Sequence, residues 1–260
     1  MAITLRSRRE IELMREAGRV VARVLSKLQE IAEPGITTGQ LDAVAEKLTA
    51  EAGAEALFRG VKNPSAKRSF PACICASINE QVVHGIPSDK LVLREGDILS
   101  IDYGARLDGY CGDAAVTIAI GDIDEAKRRL IEITRGVLEL AVSSSKAGVK
   151  WSQIAGRIQH LAESAGFSVV RDFVGHGIGT EMHEQPRVPN FVSKELLVND
   201  FTLAEGMILA VEPMINAGSS NVRTEKNGWT VVTKDGKCSA HFEHTIAICE
   251  DGCEVLTADV

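Results

Sequence analysis

The 260-residue sequence predicts an α+β fold built from two related halves. Three observations carry this prediction. In each half, helical patterns come before strand patterns, an order that favours α+β over alternating βαβ architecture. The ten residues Leu93–Asp102 match the ten residues Leu203–Glu212, with Leu, Glu, Gly, Ile and Leu recurring in place. The composition, with 45% apolar and 25% charged residues, is that of an ordinary globular protein.

Further matches extend this internal duplication, and they occur in the same chain order. His84-Gly-Ile resembles His176-Gly-Ile, and Asp113 and Glu243 each precede an apolar strand. The residues that recur 113 positions later are Gly35, Gln40 and Gly53, which match Gly148, Gln153 and Gly166. A repeat of this kind indicates two structurally related units.

Four helices are predicted from apolar residues spaced three and four positions apart. Glu33-Pro34-Gly35 ends the first helix, and Thr37 or Thr38 caps a second helix that closes near Gly53. The other predicted helix bounds are residues 8–31 for the first helix, and 123–145 and 151–165 for the pair in the second half.

The strands are predicted from short apolar or alternating runs rich in Ile and Val. They cover residues 73–84, 97–103, 113–120, 168–175, 207–214, 228–233 and 243–249. Since no Pro/Ser-rich linker interrupts the chain, we expect one catalytic domain over residues 1–260, with pseudo-repeats at about 8–120 and 121–257 that share one sheet and one core.

Charge and cysteine usage exclude several classes of protein. The net charge of −7 and the 4% aromatic content do not indicate a surface that binds DNA or an anionic membrane. No apolar run approaches 18 residues, and the start of the chain lacks the features of a signal peptide. The six cysteines form no CxxC pair. We therefore expect reduced thiols and a cytoplasmic location.

Four acids and one histidine stand at strand ends, where the chemistry is expected. Asp102 and Glu212 follow apolar runs, Asp113 and Glu243 open apolar strands, and His176 lies between two glycines. A buried acid is costly unless it is paired or metal-bound. A pseudo-twofold axis would bring all five into one cleft, where four carboxylates would repel each other.

Two divalent cations would balance these four charges and leave a bridging hydroxide as the nucleophile. Oxygen donors with one imidazole suit Co²⁺, Mn²⁺ or Fe²⁺, and Zn²⁺ is also compatible. Bridging carboxylates would hold the ions roughly 3.5–4 Å apart. Taken singly, each signal has a structural explanation: an Asp at a strand end is often a cap or a salt-bridge partner, and a glycine-flanked His can mark a tight turn. The phosphate-loop, HExxH and GxSxG motifs are absent.

Five segments resemble the type I methionine aminopeptidases: CASINEQVVHGIP (75–87), LSIDYGARLDGYCGDAA (99–115), VGHGIGTEMHEQP (174–186), ILAVEPMINAG (208–218) and GWTVVTKDGKCSAHFEHTIAI (228–248). The likeness covers nearly the whole chain. It implies the pita-bread (creatinase/aminopeptidase) fold, with pseudo-symmetric halves around an antiparallel-rich sheet. It also implies removal of the initiator methionine from nascent polypeptides with a small second residue.

Site residues carry over from this resemblance position by position. Asp102 would bind one ion and His176 with Glu212 the other, while Asp113 and Glu243 would bridge the two. Glu212 matches the proton acceptor. The two histidines that are not ligands, His84 and His183, match residues that contact the substrate carbonyl and amide.

The resemblance also implies a methionine pocket formed by Phe70, Cys75 and Trp229. Met182 replaces a usual aromatic residue there, and Lys67 stands where a Tyr is common. In some members of the family, loops matching Asn79 and Ser239 hold a monovalent cation.

The resemblance implies a monomer that acts on nascent polypeptide N-termini. The ribosome is a partner to consider, with any basic contact local to Arg6, Arg8 and Arg9. Two other functions stay open. Proline-directed relatives share the fold and the metals but carry a further N-terminal domain, and a non-catalytic peptide-binding module would have lost ligands. The intact ligand set favours catalysis.

Overall fold

The computed structural model of the chain describes residues 3–258. The helices are α1 (Arg8–Ile31), α2 (Thr38–Glu51), α3 (Glu125–Ser144), α4 (Trp151–Ser164) and the short α5 (Lys194–Val198). The strands of the first half are β1 (Glu55–Ala56), β2 (Cys75–Ile78), β3 (Gln81–Val83), β4 (Ile98–Leu107) and β5 (Tyr110–Ala119). Those of the second half are β6 (Ser168–Val169), β7 (Gly175–Gly177), β8 (Glu184–Val188), β9 (Ile208–Val211), β10 (Met214–Asn216), β11 (Val222–Thr224), β12 (Val231–Thr233), β13 (Ser239–His241), β14 (His244–Ile248) and β15 (Cys253–Val255).

The strands form antiparallel sheets, and the two largest sheets belong to different halves. In the first half, β5 pairs with β4 along its whole length, while β1 and β2 pair with β4 in succession. The second half has five strands in the order β15-β14-β9-β7-β8. Two three-stranded sheets, β13-β10-β6 and β11-β12-β3, complete the fold. The α+β class is thus confirmed.

The helices begin where local side-chain chemistry provides caps. Ser7 and Glu10 form a capping box at the start of α1, and Thr37 and Gln40 form one at the start of α2. This confirms Thr37 as the cap of the second helix. Each helix then buries one apolar face, so α1 and α2 cover the first large sheet while α3 and α4 cover the second.

The duplication recurs in backbone hydrogen bonds as well as in sequence. The Gly35 N–H donates to the Leu93 carbonyl, and the Gly148 N–H donates to the Leu203 carbonyl, each at 2.8 Å. In the turns before β4 and β9, the N–H groups of Gly96 and Gly206 donate to the carbonyls of Ile120 and Ile248, at 2.9 and 3.0 Å. Matching glycines therefore make matching turns in the two halves.

The two large sheets meet at a single bridge between Ala115 of β5 and Glu243. A threonine hydroxyl lies on each side of it. The Thr245 hydroxyl accepts the Asp113 N–H at 3.0 Å and donates to the Asp113 carbonyl at 2.8 Å. Thr117 makes the same pair of contacts with the backbone of His241, both at 2.8 Å. We call the bridge and these two threonines the joint.

The expectation of one shared sheet is met only in part, because the halves share the small sheet β11-β12-β3 while each keeps its own large sheet. At the joint, hydroxyl groups take the place of main-chain partners, so the two large sheets are joined by one bridge. The halves also pair where β3 of the first half lies beside β12 of the second. The two largest apolar clusters likewise lie one in each half, with Val116 in contact with both. Within residues 3–258, no helix has the length and apolarity needed to cross a membrane.

Candidate metal centre and substrate cavity

A long hairpin positions the first two acids. Asp102 lies within β4 opposite Ala115, and Asp113 lies within β5 opposite Gly104, so both side chains project from the same face. Neither acid marks the end or the start of its strand, because the strands continue to the turn at Asp108-Gly109. Both turn residues have positive φ, 49° and 82°, as a type I′ turn requires.

His176 lies at the centre of β7, between strands β9 and β8. The flanking glycines are required by close backbone approach. A Cβ on Gly175 would lie 2.3 Å from the Ala210 carbonyl oxygen, and a Cβ on Gly177 would lie 2.2 Å from the Gln185 carbonyl oxygen. The Gly-His-Gly pattern is thus a narrow strand and not a tight turn.

The second half contributes two more acids beside this histidine. Glu212 directly follows β9, and Glu243 directly precedes β14, which pairs with β9. His176 Nε2 lies 3.6 Å from Glu212 Oε1. Asp113, His176 and Glu243 each place one ligand atom within 4.8 Å of the others. The folded chain therefore gathers Asp102, Asp113, His176, Glu212 and Glu243 around one cavity.

Burial shifts the pKa values of these ionisable groups away from their usual ranges. It raises the pKa of Asp113 to about 7. It raises the pKa of Asp102, Glu212 and Glu243 well above the usual carboxyl range, and the charge of Asp113 raises all three further. Burial likewise lowers the pKa of His176 to about 4. Four acids forced together away from water need compensating positive charge.

Divalent cations fit this cluster. Asp102 Oδ1, Asp113 Oδ1 and Glu243 Oε1 are buried and have no hydrogen-bond partner in the described part of the chain. Buried carboxylate oxygens of this kind are otherwise paired or coordinate metals. A neutral imidazole and four carboxylates form the oxygen-rich donor set that Mn²⁺, Fe²⁺ and Co²⁺ accept.

A cavity of about 230 Å³ opens beside the acids. Its other wall is apolar and contains the predicted pocket residues Phe70, Cys75, Met182 and Trp229. The indole N–H of Trp229 donates to the Arg68 carbonyl at 2.9 Å, which fixes the ring edge-on to Phe70. Each of these pocket residues thus borders the cavity.

His84 and His183 lie between the acids and the apolar wall. His84 has φ 58°, a left-handed conformation that is strained for this residue and is typical of functional sites. Its ring lies edge-on to Phe173, and burial lowers its pKa to about 4. His183 is exposed to solvent, and its ring centroid lies 4.3 Å from that of His176.

Some residues at the site were missed by the sequence analysis. His241 is fully buried, and within residues 3–258 its Nε2 has no hydrogen-bond partner; it lies 3.7 Å from Glu212 Oε2 and 3.9 Å from Glu243 Oε2. The available signal was the position of His241 two residues before Glu243, since residues two apart in an extended segment share a face. The missed cavity-wall residues are Phe58, Val61, Phe173 and Val174.

Three residues noted in the sequence lie away from this cavity wall. Lys67 is exposed and does not line the cavity. Asn79 and Ser239 are brought together, with the Ser239 N–H donating to the Asn79 carbonyl at 2.8 Å. The Asn79 side chain is itself engaged by Asp97 and by the Ile98 N–H, at 2.7 and 3.1 Å.

The chain is similar to known proteins over almost its full length. Residues 12–250 match the model of metallopeptidase family M24. A curated methionine aminopeptidase from Clostridium acetobutylicum is 47% identical over 98% of each chain. The crystal structure of a methionine aminopeptidase from Thermotoga maritima has a TM-score of 0.93 at 40% identity, covering 99% of this chain and 100% of that one.

A more distant structure delimits what the fold alone shows. A prolidase from Pyrococcus furiosus has a TM-score of 0.74 at 22% identity, over 98% of this chain and 66% of its own. That likeness shows the shared pita-bread fold. The identity to the two methionine aminopeptidases is much higher, 47% and 40%, than the 22% identity to the prolidase. The chain therefore belongs to metallopeptidase family M24, among the methionine aminopeptidases.

Proposed function

We propose that this chain removes the N-terminal methionine from nascent polypeptides whose second residue is small. One observation carries the proposal: an apolar cavity ends directly at the cluster of four acids and His176. Its volume of about 230 Å³ and its apolar wall suit one long side chain. The relatives named methionine aminopeptidase support the same assignment.

Five residues would hold two divalent cations: Asp102, Asp113, His176, Glu212 and Glu243. Such ions, when bound, supply Lewis acidity toward a carbonyl group and lower the pKa of water. The four carboxylates balance the charge of the ions, and the buried surroundings strengthen each electrostatic interaction. The free amine of the substrate would lie near the carboxylates, which explains a restriction to the first peptide bond.

Glu212 and the two histidines would perform the proton and carbonyl chemistry. Glu212 would accept a proton from the attacking water, a role suited to a carboxyl whose pKa is raised well above its usual range by burial and by the charge of Asp113. His84 is neutral at pH 7 because burial lowers its pKa to about 4, so it donates one N–H without adding charge. His183 stands at the mouth and contacts the carbonyl of the bond to be cut.

The apolar wall would select the first residue. A methionine side chain packs well against aromatic rings and sulfur, and Trp229, Phe70 and Cys75 present such a surface. The main chain beyond the first peptide bond would leave through the opening beside His183 and Met182. We take the second residue to be restricted to a small one, because Met182 and His183 border the same cavity as the acids.

The test is cleavage of matched peptides by metal-stripped protein to which Co²⁺ or Mn²⁺ is returned. Met-Ala-Ser should release methionine only when metal is present, whereas Ala-Ala-Ser, Gly-Pro-Ser and Met-Leu-Ser should remain intact. Glu212→Gln is the matched control, since it changes one charge in the cluster and should abolish turnover.

Each other outcome points to a different function. Cleavage before proline would place the activity with the proline-directed relatives, whose fold is shared. Absence of cleavage with every ion, despite bound metal, would indicate a peptide-binding module. Cleavage of Met-Leu-Ser as fast as Met-Ala-Ser would contradict the restriction on the second residue alone.

We further propose Co²⁺, Mn²⁺ or Fe²⁺ as the resident ions, a cytoplasmic location, and a monovalent cation at Asn79 and Ser239. Titration of the stripped protein with each divalent ion, followed by metal analysis of the protein from cells, identifies the resident ion. Dependence of stability on K⁺ over Li⁺, lost in Asn79→Ala, tests the monovalent site.

A further inference from the structure

The loop that carries His183 into the cavity is closed by a neighbouring carboxylate. Glu184 Oε1 accepts the N–H of Thr180 at 2.9 Å and the N–H of Glu181 at 3.2 Å. These bonds close the turn 180–184, in which Met182 and His183 both border the cavity. The position of His183 therefore depends on where the Glu184 carboxylate is held.

Arg6, in the segment that precedes α1, binds the Glu184 carboxylate. Its Nη2 lies 2.6 Å from both carboxylate oxygens of Glu184, and only 9% of the Arg6 side chain is exposed. The Arg6 N–H donates to the carbonyl of Gly206 at 2.7 Å, in the turn that precedes β9 and Glu212. Arg6 thus links the turn before one proposed ligand to the loop of one proposed substrate contact.

The guanidinium fits this place closely. A Cβ on Gly179 would lie 2.0 Å from Arg6 Nη2, so the loop passes directly over the arginine with no space between them. On the far side of the loop, the Cys111 N–H donates to the Gly179 carbonyl at 2.8 Å. The loop is consequently held from both sides, by a charge on one and a backbone bond on the other.

We propose that Arg6 is a positioning residue, which acts through Glu184 to hold the loop 179–184 so that His183 faces the cavity. This inference rests on the proposed function for the role of His183. The Arg6 guanidinium pairs with Glu184 and, at 3.4 Å, with Glu10, so its charge is engaged within the chain.

The physical reason is that a charge-assisted bond of this kind is strong and directional. Without Arg6, Glu184 would keep a largely buried negative charge compensated only by backbone N–H groups, and the loop would shift toward solvent to hydrate it. A displacement of about 1 Å at a substrate-contacting group can reduce kcat by about 100-fold.

The matched control is a second arginine–glutamate pair. Arg15 Nε and Nη2 lie 2.5 and 2.9 Å from the carboxylate oxygens of Glu254, and Arg15 lines no part of the cavity. Arg15→Gln removes the same charge from the same N-terminal region as Arg6→Gln. It should therefore report the effect of losing an ion pair without any effect on the loop.

The experiment compares the steady-state kinetics of Arg6→Gln, Arg6→Lys, Glu184→Gln and Arg15→Gln on Met-Ala-Ser. We expect Arg6→Gln to lower kcat by about 10- to 100-fold with KM and metal affinity within about twofold of the wild type. Arg6→Lys should restore part of the rate, and Glu184→Gln combined with Arg6→Gln should be no worse than either alone. Arg15→Gln should behave as the wild type.

A direct readout of His183 keeps the inference independent of activity. The imidazole NMR signals of the protein loaded with diamagnetic Zn²⁺, assigned by loss in His183→Ala, should show His183 shifted in Arg6→Gln and unshifted in Arg15→Gln. An unchanged His183 signal, or equal kcat in the two glutamine variants, would overturn the proposal. If the wild type itself cleaves no methionyl peptide, the proposed function fails, and the NMR comparison still decides the positioning role.

Discussion

The conformations of His176 and His84 are determined by the residues packed around them. His176 has backbone of two neighbouring strands pressed against the glycines on either side, so its imidazole can project only toward Glu212. His84 has a left-handed backbone and an aromatic ring edge-on to it. Both are therefore preorganised before any substrate binds, which is how a site reduces the cost of binding.

The acids of the site can be predicted from the sequence because their setting in it is unusual. Asp102 and Glu212 interrupt apolar runs, and a duplicated pattern places them in matching positions. Phe173 and His241 lack such a signal. Phe173 follows a short strand in an irregular segment, and His241 becomes notable only when folding brings its Nε2 to within 4 Å of two acids.

His241 provides a prediction at this scale. Its unpartnered Nε2 faces Glu212 and Glu243, so it can orient the carboxylates that hold metal. Partners that orient metal ligands are worth about 10- to 100-fold in affinity. His241→Leu should therefore weaken Mn²⁺ binding by about that factor in calorimetric titration. His241→Gln retains an N–H donor and should keep most of the affinity, and equal loss in both variants would argue against the orienting role.

Among the secondary-structure elements, the long helices were predicted closely and the short strands were not. α1 was expected at residues 8–31 and occupies Arg8–Ile31, because its stripe and caps are local signals. Asp108-Gly109 is a strong hairpin signal that explains why β4 and β5 extend past the predicted bounds. Strands of two or three residues, such as β1 and β6, are set by tertiary pairing and leave no periodicity to detect.

The threonines of the joint give a prediction at the scale of elements. Thr245 satisfies both the N–H and the carbonyl of Asp113, and all of these atoms are buried. Thr245→Val keeps the shape but leaves two backbone groups without partners, at a cost of about 1–3 kcal/mol each in the free energy of unfolding. Urea denaturation of metal-free Thr245→Val and wild-type protein measures this loss in the free energy of unfolding.

Thr224→Val is the control for this measurement, because Thr224 is exposed on β11. It should change the unfolding midpoint little. A midpoint for Thr245→Val as high as that of Thr224→Val would mean that the hydroxyl contributes nothing to the contact between the halves.

Over the whole molecule, metal binding and proton binding compete for the same buried carboxylates. In the metal-free fold, burial raises the pKa of Asp113 to about 7, whereas an unfolded Asp titrates near about 3.9. The folded chain thus retains a proton that the unfolded chain releases. Its contribution to stability is fully present below about pH 4 and is lost as the pH rises through about 7.

The stabilisation gained from metal should therefore increase with pH, because the ion displaces that proton. Urea unfolding of stripped and Mn²⁺-loaded protein at pH 5.5 and 7.5 measures the difference. The difference in unfolding free energy between the Mn²⁺-loaded and the stripped protein should be larger at pH 7.5 than at pH 5.5. In Asp113→Asn this difference should change less with pH. A difference that is equal at both pH values would contradict the assignment of the acids as the ion-binding groups.

The distribution of the five proposed ligands between the halves has a consequence for how the enzyme fails. Asp102 and Asp113 come from the first half, while His176, Glu212 and Glu243 come from the second. A peptidase that keeps partial activity after damage would be a hazard to every newly made protein. Here partial unfolding of either half would separate the ligands of that half from those of the other. Unfolding would therefore abolish the activity of the enzyme and would not broaden its substrate selectivity.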